Sequence, residues 1–139
     1  MRGASGRRYT RMAATLCLTV LGCQAFEPGV PLTGTWGGQD IELQLTTTGG
    51  TMKLGCGGGV LAAPLIPDNG GRVSALGETT PGMGAPPPPN YVPPHYQVRY
   101  TGRVDGKHLT LSVTRVDDAS ITTRYALVRG RSGTIYLCP

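Results

Sequence analysis

The 139-residue chain is poor in the residues from which catalytic and metal sites are usually built. It contains two histidines, eight acidic residues and a single tryptophan. His95 and His108 stand in no metal-ligand spacing, and no G-x-S-x-G nucleophile motif occurs. Asp117 and Asp118 fall in a predicted turn, where aspartate serves local hydrogen bonds. We therefore expect no catalytic residues, no metal and no cofactor. An enzyme would need a site assembled from residues distant in sequence.

The apolar run near the start of the chain is too short to be a membrane span. It covers residues 12–21 (MAATLCLTVL), ten residues, whereas a helix that crosses a bilayer needs about twenty. Four arginines precede this run: Arg2, Arg7, Arg8 and Arg11. A positive segment followed by a short apolar run is typical of a secretion signal.

The run ends at Val20, Leu21, Gly22 and Cys23, which resembles the lipobox of bacterial lipoproteins. The resemblance implies that residues 1–22 are removed and that Cys23 carries the lipid (palmitate-type acyl chains) as the first mature residue. It also implies export and attachment to the membrane through Cys23. Gln24, rather than Asp, after the cysteine favours the periplasmic face of the outer membrane. The alternatives are an ordinary secretory signal with a chance cysteine and a buried amphipathic start to the domain.

The basic balance of the whole chain belongs mostly to this signal. Thirteen lysines and arginines face eight acidic residues, but four of the arginines and none of the acids lie in residues 1–22. The mature part therefore has nine basic residues against eight acidic ones. Nucleic-acid binding needs a clustered basic face, and we do not expect it here.

The four cysteines divide by position. Cys17 lies in the signal and Cys23 takes the lipid, which leaves Cys56 and Cys138. Two cysteines in an oxidising compartment predict a disulfide, worth about 4–5 kcal/mol for so long a loop in the chain-entropy model. Two free thiols or a metal site are the alternatives.

The rest of the mature chain alternates apolar and polar residues with a period of two. Residues 23–33 have no such period and are predicted to be a tether, and residues 34–139 form the domain. Eight strands are predicted, near 40–47, 51–56, 59–65, 72–78, 96–104, 108–116, 121–129 and 133–138. Tight-turn signals such as Asp105-Gly106 join most of them.

These runs predict an all-β domain, an antiparallel up-and-down meander that closes into a small barrel. The last predicted strand would return beside the early strands, and a bridge between Cys56 and Cys138 would lock the closure. A flattened sandwich is the alternative.

The segment Gly34-Thr35-Trp36 resembles the opening motif of the lipocalin superfamily. The resemblance implies that Trp36 plugs the closed end of the barrel and packs against an arginine from a late strand, Arg124 or Arg129. An eight-stranded barrel is either filled by side chains or holds one small ligand. The Leu, Val and Ile of the predicted inward set favour a filled core.

At a wider scale the chain resembles a family of uncharacterised bacterial lipoproteins. The resemblance rests on the G-x-W-G-G opening (Gly34–Gly38), on MKLGC at residues 52–56, and on YTGRV at residues 100–104. It continues through LTLSV at residues 109–113 and a last strand that ends in cysteine. It implies a disulfide-closed β domain in the cell envelope, and it implies no activity.

Residues 81–94 (PGMGAPPPPNYVPP) break the alternation with seven prolines. The run Pro86, Pro87, Pro88 and Pro89 should be a stiff polyproline II segment. The simplest interpretation is a rigid surface crossover. The functional alternative is a presented loop that offers Met83 and Tyr91 to a partner.

Together these features predict a lipid-anchored, non-enzymatic protein that binds another envelope protein, in the manner of a small inhibitor, through the proline loop or the barrel rim. The alternative is a carrier of a small apolar ligand. Its expected cavity lining is Tyr96, Val98, Tyr100, Leu109 and Leu111. A structural envelope component is a third interpretation.

Overall fold

The computed structural model describes residues 26–138, and every regular element in this range is a β-strand. The predicted signal peptide and Cys23 lie outside the described residues. Eight strands follow one another along the chain: β1 Gly34–Gly38, β2 Ile41–Leu45, β3 Gly50–Leu54, β4 Gly57–Leu61, β5 Arg72–Pro81, β6 Tyr96–Asp105, β7 His108–Arg115 and β8 Thr122–Arg129.

Each strand pairs antiparallel with the next, and β1 pairs with β8 to close the barrel. In this closing pair Trp36 lies opposite Arg129 and Gly38 lies opposite Leu127. The predicted all-β meander and its closure are therefore confirmed, and the sandwich alternative is wrong.

The prediction of a last strand near residues 133–138 is wrong. Residues 131–138, here called the strap, make one parallel bridge, between Thr134 and Gln39. The strap cannot add a ninth strand because β1 already has β2 on one side and β8 on the other, so the barrel has no free edge. It instead crosses the outer face of β1, where Gly37 leaves room for the backbone.

A disulfide between Cys56 and Cys138 confirms the predicted pair. Cys56 lies in the turn between β3 and β4, and its Cα lies 5.2 Å from that of Cys138. The bond therefore fastens the strap across the turn at one end of the barrel.

The two ends of the barrel differ in how they are covered. At the end where β1 begins, residues 26–33 pack beneath the loop 62–71. The Gly29 N–H donates to the Pro67 carbonyl at 2.9 Å, and the Leu32 N–H donates to the Leu65 carbonyl at 2.8 Å. Leu32 and Leu65 are buried there. We call this the closed end, and the described part of the predicted tether belongs to it.

The opposite end, here called the mouth, is framed by turns and one long loop. They are the turns at residues 39–40, 55–56 and 116–121 and the proline-rich loop at 82–95. Side chains of the inward positions fill the barrel from the closed end to about its middle. Trp36, Leu43, Leu109 and Leu111 are buried in this filled half.

Candidate functional site at the mouth of the barrel

A cavity of about 230 Å³ opens at the mouth. Tyr100 is the next inward residue of β6 after Val98, and its buried ring occupies space that two glycines leave free. A Cβ on Gly59 would lie 2.7 Å from the Tyr100 hydroxyl, and a Cβ on Gly77 would lie 2.7 Å from the Tyr100 ring. The Tyr100 hydroxyl donates to the Glu78 carbonyl at 3.2 Å. The Tyr100 ring therefore belongs to the filled half of the barrel, and the hollow half lies between it and the mouth.

The cavity wall is mainly apolar, with hydroxyl groups among the apolar side chains. The strand alternation that fills the closed half continues here, but with fewer bulky residues. Apolar and aromatic side chains of four strands line it: Met52, Leu54, Val98, Val113 and Tyr125. Thr79 and Thr123 add hydroxyls, because they stand at inward positions of β5 and β8. The wall therefore suits an apolar group that carries a hydrogen-bonding edge.

Of the five residues expected to line a ligand cavity, the structure brings two to it. Tyr96 and Val98 line the cavity. Tyr100, Leu109 and Leu111 are fully buried in the filled half, so that part of the expectation is wrong. The filled core predicted from the sequence describes only the half of the barrel nearest the closed end.

Arg115, at the last position of β7, forms a charged edge of the cavity. Its guanidinium carbon lies 3.8 Å from the centroid of the Tyr96 ring, which is a cation–π contact. Its Nε donates to Asp117 Oδ1 at 2.9 Å. This hydrogen bond holds the pKa of the Asp117 carboxyl below its usual range. The arginine is therefore held by two contacts, one to Tyr96 and one to Asp117.

Two phenols in the barrel stay neutral at physiological pH. Burial raises the pKa of Tyr100 far above its usual value. Burial, and to a smaller extent the charge of Asp40, also raises the pKa of Tyr125 at the cavity wall. A neutral phenol can donate a hydrogen bond. Tyr125 therefore offers a donor to an occupant of the cavity.

Exposed apolar side chains cluster around the mouth. Seven of the large ones described lie on the mouth loops or on the part of the strap beside the turn 55–56, and they are called the apolar rim: Met83, Tyr91, Val92, Val116, Ile121, Tyr136 and Leu137. Val92 is 80% exposed and Leu137 is 89% exposed. A concentration of exposed apolar surface marks an interaction site more often than scattered residues do.

The proline-rich loop contributes to this rim. Pro86, Pro87, Pro88 and Pro89 are exposed, and the Tyr91 N–H donates to the Pro88 carbonyl at 3.1 Å. The loop is thus a crossover between β5 and β6, and the strand residues at its two ends, Pro81 and Tyr96, line the cavity.

Trp36 lies at the other end of the barrel. It is 1% exposed, its indole N–H donates to the Thr33 carbonyl at 3.2 Å, and the Arg129 guanidinium lies 5.8 Å from its ring. Arg129, rather than Arg124, is the arginine opposite it. Trp36 therefore belongs to the closed end and takes no part in the cavity.

Arg115, Ile121 and Tyr125 line the cavity but are not predicted as site residues from the sequence. A signal for Arg115 exists in β7, where Leu109, Leu111 and Val113 take the inward positions and the next residue of that series is an arginine. A charged residue that continues an apolar series at a strand end is typical of a cavity entrance.

Compared with protein-family models, curated proteins and solved structures, the chain matches none. Within residues 26–138 no three His, Cys, Asp or Glu side chains come together as a metal site. No helix in that range is long and apolar enough to cross a membrane.

Proposed function

We propose that this chain is a lipid-anchored protein of the cell envelope that binds a partner protein at its mouth. The lipid anchor rests on the lipobox-like sequence that ends at Cys23 and on the resemblance to bacterial lipoproteins. The binding role rests on one observation, the apolar cavity surrounded by the apolar rim. In this proposal the partner places one apolar side chain in the cavity and covers the rim with its surrounding surface.

The size of the cavity favours a single side chain as its occupant. Pockets that enclose drug-sized ligands usually measure about 300–1,000 Å³, whereas this cavity measures about 230 Å³. An apolar cavity of about 150 Å³ accepts a benzene ring. One aromatic or branched aliphatic side chain therefore fits, and the residues that dominate protein interfaces fill pockets of this kind.

The rim favours a protein over a small molecule. A ligand inside the cavity would leave Val92 and Leu137 in water. Val92 lies on the proline-rich loop and Leu137 on the strap, and both are almost fully exposed. A protein surface would cover them together with the cavity. The burial of this additional apolar area would stabilise the complex at about 25 cal/mol per Å² before the costs of association.

The stiffness of the loop supports an inhibitor-like mode of binding. A polyproline II segment has little conformational freedom to lose, so its ordering on binding costs little free energy. Arg115 and Tyr96 beside it form a planar edge against which a partner side chain can stack.

Photocrosslinking inside the native envelope tests this proposal. A photoreactive amino acid at Ile121, on the rim, is compared with one at Leu76, on the outer wall of β5. The two positions are similarly exposed, at 45% and 51%. We expect a protein adduct from position 121 that is missing from position 76. Equal adducts from both positions, or none from either, would refute the proposal.

A cavity-filling variant makes the test specific. Val113→Phe puts a ring into the cavity, and Val60→Phe puts the same ring on the exposed outer wall of β4. We expect Val113→Phe to abolish the adduct from position 121 and Val60→Phe to leave it unchanged.

The same cavity also favours a second candidate, a carrier of a small apolar ligand of about one ring. Native mass spectrometry of the protein from its host distinguishes the two, since a carrier retains a small added mass. Replacing the rim residues Tyr91 and Val92 by Ser should remove a protein adduct and leave a small ligand bound.

A further inference from the structure

We infer that the mouth faces away from the membrane, so that its partner is a protein that approaches from the aqueous side and is not a membrane lipid. This inference rests on the lipid anchor of the proposed function. The observation that carries it is the position of Phe26, three residues after Cys23 in the sequence. Residue 26 lies at the closed end, opposite the cavity.

Phe26 is held against the closed end by packing. Its ring contacts the core and lies 3.1 Å from where a Cβ on Gly71 would stand. Gly71 belongs to the loop before β5, and its carbonyl accepts a hydrogen bond from the Val104 N–H at the end of β6 at 2.8 Å. The backbone bonds of Gly29 and Leu32 to the same loop fix the following residues. The start of the described chain is therefore fastened to one end of the barrel.

Covalent geometry keeps the proposed anchor near that end. Only Gln24 and Ala25 separate Cys23 from Phe26. Successive Cα atoms are 3.8 Å apart, so three such steps allow a separation of at most about 11 Å.

The barrel is longer than this reach. A ten-residue strand such as β6, with a rise of about 3.3 Å per residue and a tilt of about 35–45°, spans about 20–25 Å along the barrel axis. A lipid on Cys23 would therefore hold the closed end at the membrane surface and the mouth about one barrel length above it.

The surface of the closed end agrees with this arrangement. Val30 and Ile66 are its exposed large apolar side chains, at 46% and 44% exposure, and both lie next to the start of the described chain. The seven residues of the apolar rim lie at the other end, where they would face the aqueous compartment. Apolar side chains concentrated at a distance from the bilayer are typical of a protein-interaction surface, which favours a protein as the partner.

Paramagnetic relaxation in a lipid nanodisc tests the orientation. The mature, lipidated chain is inserted in nanodiscs of phosphatidylethanolamine and phosphatidylglycerol that carry a gadolinium chelate on a fraction of the headgroups. We expect the amide signals of Gly29, Ile66 and Lys107 at the closed end to be lost. The signals of Tyr91 and Ala119 at the mouth should remain. The Cys23→Ser variant of the mature chain, mixed with the same nanodiscs, should lose neither set.

Loss of the Tyr91 and Ala119 signals, or equal loss at both ends, would overturn the orientation. A mature chain without lipid on Cys23 would overturn the orientation and the proposed anchor together. Absence of the photocrosslink at position 121, with signal loss confined to the closed end, would refute the partner at the mouth and leave the orientation standing.

Discussion

At Gly37 the lack of a side chain allows the strap to pack directly on β1. This glycine follows the buried Trp36 in β1, and the strap crosses directly over it. A Cβ at this position would lie 2.3 Å from the Arg131 carbonyl oxygen and 2.4 Å from the Ser132 carbonyl carbon. Both are backbone atoms, so the strap itself would have to move away. The second half of the G-x-W-G-G motif therefore has a packing role.

Gly37→Ala should lower the free energy of unfolding by about 1–3 kcal/mol, the usual cost of overpacking. Urea denaturation measures it. Gly70→Ala is the matched control, because its nearest neighbour, Asp68 Oδ1, would lie 3.4 Å from the new Cβ. Equal losses from the two variants would contradict this role of Gly37.

The ion pair at the entrance predicts a dependence of stability on pH. Arg115 lowers the pKa of the Asp117 carboxyl in the folded state from an ordinary value of 3.8. A group with a lowered folded pKa stabilises the fold above its unfolded pKa, and this contribution is lost as the pH falls through the folded value. Asp117→Asn should therefore be less stable than the wild type at neutral pH. The difference should shrink as the pH falls below 3.8.

Chemical denaturation at neutral pH and at a series of values below 3.8 measures this difference. In an Arg115→Gln background the Asp117→Asn substitution should have a much smaller effect, because the partner of the carboxylate is gone. A difference that stays constant over the whole pH range would show that Arg115 does not stabilise the carboxylate.

At the scale of elements, the proline-rich loop is the part of the rim whose contribution can be isolated. Substituting Pro86, Pro87, Pro88 and Pro89 by Ala should weaken partner binding roughly tenfold or more. Each proline lowers the conformational entropy of the free loop, which is worth about 0.4–1 kcal/mol per residue. The loop would then be ordered only on binding. The four residues are exposed, so barrel melting should change little.

Titration of the purified partner, identified by crosslinking, measures the affinity of this loop variant. Substitution by Ala keeps the length of the loop and every residue of the apolar rim. Only the stiffness of the loop is changed. An affinity equal to that of the wild type would show that the loop is only a crossover.

The strands that the sequence predicts well are those with a clean alternation. β2, β6 and β7 follow from series such as Ile41, Leu43 and Leu45, which are all buried. β1 was missed because three of its five residues are glycine and leave no alternation to read. The strap was predicted as a strand from its β-type residues, but pairing also needs a free edge, which a closed barrel does not offer.

The candidate site was predictable only in part. The cysteine pair and the proline-rich loop are visible as residue types. The cavity is not, because its wall is assembled from inward residues of strands distant in sequence, such as Met52 of β3 and Val113 of β7. Such an arrangement follows from the register of the strands, which local patterns do not specify.

At the scale of the whole molecule, the disulfide cross-links the strap to the turn between β3 and β4. Replacing Cys56 and Cys138 by Ser should lower the free energy of unfolding by about 4–5 kcal/mol, as the chain-entropy model gives for a long loop.

Equilibrium denaturation of the double variant beside the oxidised wild type measures this loss. Cys23→Ser serves as the control for cysteine replacement as such, and it should leave the unfolding of the domain unchanged. A double variant as stable as the wild type would show that the closed β1–β8 pairing holds the fold without the bond.

The order of strands in the barrel also has a kinetic consequence. Seven of its eight pairings join strands that are adjacent in sequence, and β1 with β8 joins the two ends of the meander. Hairpins form in about 1–10 μs, whereas closing a ring over the whole domain carries a larger entropy cost and should come last. Trp36 is the only tryptophan in the chain and lies in that final pairing. Its fluorescence in a stopped-flow refolding experiment would therefore report when the ring closes.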